Sequence, residues 1–349
     1  MAGGSLQDEV KATPDVLTAA GTLYDELMAG SITPESLQQS PLRRESFTSN
    51  RGIGALISID LLKCELYAME WQDRVDLNDF VVAAAPFGGP IALWRDEKKI
   101  QKVQVSGKPM IYIFSSAGQQ ISTLKWNSGR LKHIEWSSSE ELLCVQDDGN
   151  ILIYDIFANY QRLVSMGQEA KDLRILDCKI FHHNQRTGIA VLTSSYRVFV
   201  VNNINEPKIR RMAEIPGLET APSSWGVVTI ENQTSVFVAK EAELYLLDHS
   251  ERCCQQVTPK FNAPVTAITE IAVSHNNRHL ALFTDSGNLW LGTTELQGYC
   301  EYETESKKRP KQLLWCGTGA IVGYWDDLIL IIGPEKDWLT YPFPYNLFN

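Results

Sequence analysis

ELLCVQDDGNILIYD, the stretch from Glu141 to Asp155, places two short apolar runs on either side of a tight-turn sequence. Its central Asp-Gly pair supplies the positive φ angles that a hairpin turn needs, because glycine has no Cβ to clash. The flanking runs, LLCV and ILIY, are apolar without alternation, which predicts a hairpin buried on both faces. The stretch ALFTDSGNLWLG, from Ala281 to Gly292, repeats the same pattern.

This turn recurs along the chain at a nearly constant interval. Its copies are spaced by roughly 45 residues, with a last step of about 40, and lie at Asp148, Ser195, Glu241, Ser286 and Asp326. Short strand-like segments separated by Gly, Asn, Asp and Ser fill the intervals. A period of this length with four short strands is typical of a β-propeller, whose blades bury each other's faces. We therefore predict an all-β fold, a β-propeller with about six WD40-like blades over residues 65–333.

The two ends of the chain differ from this pattern. Thr13-Pro14-Asp15 has the cap, proline and acid of a helix start, and Thr33 could begin a second, shorter helix. Ser40 to Gly52 is polar and reads as a linker. We predict an unrelated helical or disordered extension over residues 1–60 and a divergent tail over residues 334–349.

The composition excludes several classes of protein. The net charge of -10 and the pI of about 5.2 argue against a nucleic-acid binder, which usually carries a basic patch. No apolar run reaches the ~18 residues of a membrane span, and the N-terminus does not resemble a signal peptide. The seven cysteines have no regular spacing and indicate reduced, mostly buried thiols in a cytoplasmic protein. Only Cys253 and Cys254 are close enough in sequence to suggest a disulfide or a zinc ligand pair.

The histidines and glycines do not form a catalytic, cofactor-binding or metal-binding motif. His275 and His279 are four residues apart, but they lack the glutamate and the helix of a zinc-protease motif. His182 and His183 lie at a predicted strand end, where we expect exposed or turn-capping side chains. The glycines from Gly317 to Gly323 match neither a dinucleotide fingerprint nor a phosphate-binding loop. We therefore predict a protein that is not an enzyme and has no cofactor, metal or small-molecule substrate.

The remaining polar and aromatic clusters have structural explanations. Asp147-Asp148 and Asp326-Asp327 fit turns, where aspartate accepts backbone hydrogen bonds. Lys307 to Lys311 is the only dense basic cluster, and it suits either a solvated loop between blades or contact with anionic lipid. Tryptophans recur at blade positions and predict packing between blades, with a binding groove as the alternative; they are Trp71, Trp94, Trp126, Trp136, Trp225, Trp290, Trp315 and Trp325.

Several long segments resemble a known family in the right order. They are ELYAMEW (65–71), VVAAAPFGGPIAL (81–93), EELLCVQDDGNILIY (140–154), RRMAEIPGLETAPSSW (210–225), ELYLLDH (243–249) and RHLALFTDSGNLWLGT (278–293). Together they resemble the N-terminal region of the vacuolar protein sorting-associated protein 16 family. The resemblance implies an N-terminal β-propeller, which agrees with the repeat, followed in the family by a long α-solenoid.

The resemblance also implies a function without catalysis. Members of the family are subunits of the HOPS and CORVET complexes, which tether endosomes and lysosomes or vacuoles before fusion. The implied partners are the other HOPS and CORVET subunits and a Sec1/Munc18-like protein, with no nucleic acid. The implied location is the cytoplasm, peripherally on late endosome and lysosome or vacuole membranes.

Two departures from the family leave alternatives open. SIDLLKC precedes ELYAMEW, where the family has an aromatic and basic segment, and the chain ends soon after Gly333. The family would continue with the end of the propeller and then the solenoid, which holds the Sec1/Munc18-like partner. We therefore keep two hypotheses, a tethering-complex subunit and a truncated isoform that acts as a regulatory or non-productive interaction module. The ring either closes or leaves an exposed blade edge that could pair with another chain.

Overall fold

The structure is a computed structural model that describes most of the chain from Phe80 to Pro342. The described residues are 43–46, 49–50, 60–63, 75, 79–95, 109–230, 233–248, 254–304, 306–317, 319–325, 328–333 and 337–342. The two predicted N-terminal helices and the segment ELYAMEW lie outside these residues.

Six antiparallel sheets follow one another along the chain, each built from four consecutive strands. Before them come three short strands, β1 (Arg43–Ser46), β2 (Ser49–Asn50) and β3 (Asp60–Lys63). Sheets one and two contain β4 (Phe80–Ala84), β5 (Ile91–Arg95), β6 (Met110–Phe114), β7 (Gln120–Lys125), β8 (Leu131–Trp136), β9 (Leu142–Gln146), β10 (Asn150–Tyr154) and β11 (Tyr160–Ser165). Sheets three and four contain β12 (Ile175–His183), β13 (Arg186–Thr193), β14 (Val198–Val201), β15 (Ile209–Arg211), β16 (Ser224–Ile230), β17 (Gln233–Lys240), β18 (Glu243–Leu247) and β19 (Cys254–Val257). Sheets five and six contain β20 (Ile268–Val273), β21 (His279–Thr284), β22 (Asn288–Thr293), β23 (Gly298–Glu303), β24 (Gln312–Cys316), β25 (Ala320–Tyr324), β26 (Leu328–Ile332) and β27 (Trp338–Pro342).

The hairpin predicted from ELLCVQDDGNILIYD is formed by β9 and β10. Gly149 has a φ of 78°, and its N–H donates to the carbonyl of Gln146 at 3.1 Å. Every residue of β9 is buried, as the unbroken apolar run predicted. The recurring turn positions all fall between the second and third strands of successive sheets, from sheet two to sheet six. The repeat therefore identified equivalent points of successive blades, although Asp326 itself lies outside the described residues.

Successive sheets pack face to face, and this packing forms the core. Each first strand contacts the first strand of the next sheet, from β4 to β24. Between sheets two and three, for example, Val145 and Ile151 of one sheet pack with Val191 of the other. Equivalent clusters lie between the other successive sheets. This is the arrangement of β-propeller blades, and the predicted all-β propeller with six four-stranded blades is confirmed.

The sixth sheet extends beyond the boundary predicted at residue 333. Its fourth strand, β27, lies within the segment predicted as a divergent tail. The outer edge of β27 pairs with β2, in the register Ser49 to Leu339 and Asn50 to Trp338. The predicted linker over Ser40 to Gly52 thus contains β1, which pairs with β3, and β2, which pairs with β27.

One α-helix and a short 3-10 helix (Pro86–Gly88) complete the secondary structure of the described residues. Helix α1 (Gly167–Leu173) connects sheets two and three and buries Ala170. The sequence analysis did not predict it, because seven residues are too few to show a helical period. None of the described helices is long and apolar enough to cross a membrane.

Candidate interaction surfaces

The antiparallel strand order creates two faces with different turns. One face holds the turns between second and third strands, such as Asp147–Gly149, together with the links between sheets. We call it the connection face. The opposite face, which we call the hairpin face, holds the turns between first and second strands, such as Ser137–Glu140 and His275–Arg278. The turns on both faces connect strands whose apolar side chains are buried in the core, and these strands fix where each turn lies.

Backbone hydrogen bonds fix the turns of the connection face to the links between sheets. The N–H of Ile175, at the start of sheet three, donates to the carbonyl of Asp147 in sheet two at 2.8 Å. The N–H of Ile268, at the start of sheet five, donates likewise to Glu241 in sheet four at 2.8 Å. These two turns therefore hold the beginning of the following blade in place.

The carboxylate of Asp285, in the turn between β21 and β22, also contacts the segment that leads into sheet five. Its carboxylate accepts the Thr266 hydroxyl, the Ala267 N–H at 2.9 Å and the Thr266 N–H at 3.3 Å. The Thr266 hydroxyl contributes most to lowering the pKa of Asp285, and the two backbone N–H groups lower it further. The ionised carboxylate is therefore the form that the fold stabilises.

Replacing Asp285 with asparagine should make stability less dependent on acid pH. Because the folded state lowers the pKa, the carboxylate contributes stability above its unfolded pKa of about 3.9, and this contribution is lost as pH falls through the folded pKa. The difference between wild type and Asp285→Asn should be less than about 1 kcal/mol near neutrality, since the group is solvent-accessible, and should shrink below pH ~4. Urea unfolding between pH 7 and 3 measures it, with Glu303→Gln as an exposed control; an unchanged difference at low pH would contradict the prediction.

Side-chain hydrogen bonds join neighbouring blades on the hairpin face. The Ser138 N–H donates to the Thr187 hydroxyl at 2.9 Å, which links sheets two and three. The Asn277 side-chain oxygen accepts the Thr229 N–H at 2.9 Å, which links sheets four and five. The Thr294 hydroxyl donates to the Asn277 carbonyl at 3.1 Å within sheet five. This face is therefore preorganised as well.

Polar side chains of the first strands lie where successive blades meet at the centre. His133 contacts Glu135 at 2.8 Å on β8. Burial lowers the pKa of His133, but the hydrogen bond and charge of Glu135 outweigh it, so the pKa is raised. Asp177 on β12 accepts the Trp225 indole N–H at 2.8 Å, and the Lys179 ammonium lies 5.9 Å from the same ring. The contacts of Asp177 and Lys179 with Trp225 join sheets three and four, whereas the pair of His133 and Glu135 lies within one strand.

The structure separates the two histidines that were candidates for a metal pair. His275 faces His182 of sheet three, with ring centroids 6.2 Å apart, whereas His279 packs beside Trp315 at 5.5 Å and Tyr299 at 6.0 Å. Burial lowers the pKa of His182, and the charge of His275 lowers it further. Within the described residues, no group of three or more His, Cys, Asp or Glu side chains could hold a metal ion.

Among the paired acids and the glycines from Gly317 to Gly323, Asp148 stabilises a turn and Gly323 allows a tryptophan ring to pack closely. The Asp148 carboxylate accepts the Asn150 N–H at 3.1 Å and the Asn150 side-chain amide at 2.7 Å. This is the turn chemistry that the sequence predicted. Gly323 lies under the Trp325 ring, where a Cβ would approach ring carbon at 2.7 Å. Asp326 and Asp327 fall outside the described residues.

None of the described cysteines forms a disulfide. Burial raises the pKa of Cys144 and Cys178, which keeps both protonated and unreactive. The prediction of reduced, mostly buried cysteines is confirmed for four buried residues and one half-buried one, Cys144, Cys178, Cys300, Cys316 and Cys254. Cys64 and Cys253 lie outside the described residues.

The tryptophans pack between blades, and several also donate hydrogen bonds across a blade boundary. The Trp136 indole N–H in sheet two donates to the Ala83 carbonyl in sheet one at 2.9 Å. The Trp315 indole N–H in sheet six donates to the Ala272 carbonyl in sheet five at 2.9 Å. The prediction of packing between blades is confirmed for the buried members, which are Trp126, Trp136, Trp225, Trp290 and Trp325. Trp71 lies outside the described residues.

The basic cluster forms the loop that joins sheets five and six on the connection face. Arg309 is paired with Glu270, with 2.7 Å between its Nε and the carboxylate oxygen. The Lys308 carbonyl accepts the Trp325 indole N–H at 2.8 Å, which fixes the loop to sheet six. The side chains of Lys307 and Lys308 are exposed. The prediction of a loop between blades is confirmed, and its positive charge is partly neutralised within the fold.

Three large apolar side chains on or next to the outer strand of sheet two are exposed, and the sequence analysis did not predict them. Phe157, Tyr160 and Leu163 are 63%, 56% and 49% exposed. The sequence YQRLVS of β11 alternates polar and apolar residues only weakly, so it gave no clear outward face. Because large exposed apolar side chains often mark contact surfaces, this strand is a candidate contact of the propeller.

Comparison with known proteins assigns the chain to a family. The model of a family described as Vps16, N-terminal region, matches residues 61–348. The chain belongs to the Vps16 N-terminal region family. The match begins near the predicted start of the propeller and extends past residue 333, in keeping with the place of β27 in the sixth sheet of this Vps16-type propeller.

Relatives of the Vps16 family are much longer than this chain. The Vacuolar protein sorting-associated protein 16 homolog of Drosophila melanogaster is 33% identical over 293 residues, which covers 82% of this chain and 35% of that protein. Protein VACUOLELESS1 of Arabidopsis thaliana is 29% identical over 307 residues, with 80% and 35% covered. The chain thus spans about a third of the length of these curated relatives.

Solved structures support the fold of the Vps16 N-terminal region independently. The β-propeller domain of Cps50 (Swd1) from Myceliophteria thermophila superposes with a TM-score of 0.53 at 12% identity. The alignment covers 76% of this chain and 87% of that one. At this identity the likeness concerns the fold alone, and it agrees with the six packed sheets.

Proposed function

We propose that this chain is a non-catalytic propeller module of the HOPS and CORVET tethering complexes. In that role it acts in vesicle-mediated protein transport to the lysosome or vacuole and in endosome–lysosome fusion. The observation that carries the proposal is the match to the Vps16 N-terminal region over residues 61–348. The net charge of -10 favours protein partners over direct contact with nucleic acid.

The mechanism we propose is rigid presentation of surfaces to partner subunits. Hydrogen bonds between blades, such as Ser138 to Thr187 and Thr229 to Asn277, hold the turns before a partner arrives. A preorganised surface loses less conformational entropy on binding than a mobile one, so a modest contact area can suffice. The exposed Phe157 and Tyr160 offer apolar area for such a contact.

The partners we propose are the other HOPS and CORVET subunits, and through them the chain associates peripherally with endosomal and lysosomal membranes. A Sec1/Munc18-like protein belongs to the same proposed assembly, although the family resemblance implies that its contact lies in the solenoid. Lys307 and Lys308 are exposed beside the blade boundary and could add attraction to anionic lipid of about 1 kcal/mol per charge.

Capture of the tagged chain from cytosol tests the proposal. The HOPS and CORVET subunits are probed by immunoblot, with a solenoid-containing relative as the positive control and an unrelated β-propeller domain of similar size as the negative control. We expect the subunits to be enriched with this chain over the unrelated propeller. Enrichment with the solenoid-containing relative alone would reject the proposal for this chain and favour the regulatory or non-productive role.

A further inference from the structure

The outer strand of sheet four has no charged residue or proline, unlike the outer strands of sheets one, two, three and five. Edge strands of natural sheets are usually blunted by charged residues or proline, which prevent pairing with other chains. The outer strands of sheets one, two, three and five carry such residues, namely Lys125, Arg162, Arg210, Arg211, Glu301 and Glu303, and the outer edge of β27 in sheet six is covered by β2. The sequence of β19 is CQQV, with neither. Within the described part of the chain, β19 pairs only with β18, and Gln255 and Gln256 are exposed.

This strand borders a cleft between blades four and five. The cleft has a volume of about 740 Å³, and its lining includes Gln255, Trp290, Glu295, Leu296 and Glu301. A cleft of this size falls within the range of sites that bury a ligand of several residues or a drug-sized molecule. The outer edge of β19, whose backbone groups do not pair with another described strand, therefore lies beside the cleft.

The floor and one wall of the cleft are held in place before any ligand binds. Trp290 is 2% exposed, and its indole N–H donates to the Lys260 carbonyl at 3.0 Å. Gly298 lies against the same ring, where a Cβ would approach the indole nitrogen at 2.8 Å. The Glu301 carboxylate accepts the Asn262 N–H at 2.9 and 3.0 Å. A partner would therefore not have to organise the site.

We propose that β19 and this cleft bind an extended segment of a partner protein that carries basic side chains at alternate positions. The segment adds a strand to sheet four through its backbone, as in other cases of strand addition to a sheet edge. Basic side chains are favoured because, among the described residues that line the cleft, the carboxylates of Glu295 and Glu301 outnumber the one cation, Lys260. The side chains between them point to the opposite face of sheet four, away from the cleft. The inference rests on the interaction role proposed above and names one surface for it.

A synthetic peptide tests the inference without any of the proposed complex subunits. The probe is a fluorescein-labelled peptide of eight residues with alternating arginine and valine, titrated with the whole chain and read by fluorescence anisotropy. One comparison peptide replaces arginine with glutamate, and a second carries N-methyl groups on alternate amides, which removes backbone donors. We expect saturable binding of the first peptide and loss of binding with both comparison peptides.

Paired variants locate the binding site. Glu295→Lys should weaken binding of the basic peptide about three- to tenfold, whereas Glu303→Lys, on the same sheet but outside the cleft, should change it little. Gln255→Lys on β19 should weaken binding in the same way, whereas Gln120→Lys, at an exposed position of β7, should not. Circular dichroism checks that all four variants keep the strand content of the wild type.

Three outcomes would overturn the inference. The first is no saturable binding of the basic peptide, and the second is equal binding by all four variants. The third is a concentration-dependent dimer of the free chain that Gln255→Lys abolishes, which would assign the edge to a second copy. Because the probe is synthetic, failure here leaves capture of the complex subunits intact, and failure of that capture leaves peptide binding intact.

Discussion

Replacing Trp136 with alanine is expected to lower the free energy of unfolding by about 3–5 kcal/mol. Trp136 is fully buried, with 0% of its surface exposed, in the cluster between sheets one and two. Its loss creates a cavity and also leaves the Ala83 carbonyl without the indole N–H that it accepts at 2.9 Å. Chemical denaturation followed by far-ultraviolet circular dichroism measures the change, since that signal does not depend on tryptophan fluorescence.

Two further variants are compared with Trp136→Ala: Trp136→Phe separates the cost of the cavity from that of the lost hydrogen bond, and Leu314→Ala is a surface control. Trp136→Phe keeps an aromatic ring and removes the donor, so it should cost less than alanine, by about 1–3 kcal/mol in total. Leu314→Ala, at a side chain that is 42% exposed on β24, should cost less than about 1 kcal/mol. If Trp136→Ala lowered the free energy of unfolding by less than about 1 kcal/mol, this would contradict the view that close packing between sheets one and two stabilises the fold.

Trp136 is one of several tryptophans that form a hydrogen bond across a blade boundary. Trp225 joins sheets four and three through Asp177, and Trp315 joins sheets six and five through Ala272. A blade cannot bury both of its faces alone, so each boundary contributes to the stability of two blades. We therefore expect unfolding of the Trp136 variants to involve more than one blade, which would appear as a lower midpoint with little change in steepness.

Much of the fold could be predicted because the decisive signals are local. An Asp-Gly or Asp-Ser-Gly turn between unbroken apolar runs marks a buried hairpin without reference to distant residues. Gly149 and Gly287 both adopt the positive φ that these turns require, at 78° and 89°. The regular spacing then ordered the hairpins into blades, and only the side-by-side packing of those blades had to be assumed.

The remaining features depend on contacts between residues that are distant in sequence. The pairing of β2 with β27 joins positions near opposite ends of the chain, and no local pattern in Ser49–Asn50 announces it. The cleft beside β19 likewise requires knowledge that Gln255 and Glu295 approach each other from different blades. The absence of charge in CQQV was visible in the sequence, but it acquires meaning only once β19 is known to be an outer strand.

Replacing Gly287 with alanine is expected to lower the free energy of unfolding by about 2–4 kcal/mol. Gly287 occupies the turn between β21 and β22 with a φ of 89°, a conformation that costs an L-residue about 1–2 kcal/mol. A methyl group there would also lie 2.9 Å from the Ser306 carbonyl oxygen, which belongs to the link toward sheet six. That link is held in turn by Thr304, whose N–H and hydroxyl donate to the Gly287 carbonyl at 2.9 and 2.7 Å.

Gly217→Ala separates the two parts of this cost. Gly217 also has a positive φ, 66°, but no atom lies within 4 Å of the position a Cβ would take. Its replacement should therefore cost only the conformational part, about 1 kcal/mol, and the excess in Gly287→Ala measures the contact with the link. Both variants are compared by the same denaturant unfolding. Equal losses would mean that the link between sheets five and six moves away freely, and the connection face would then not be the rigid surface on which the proposed mechanism depends.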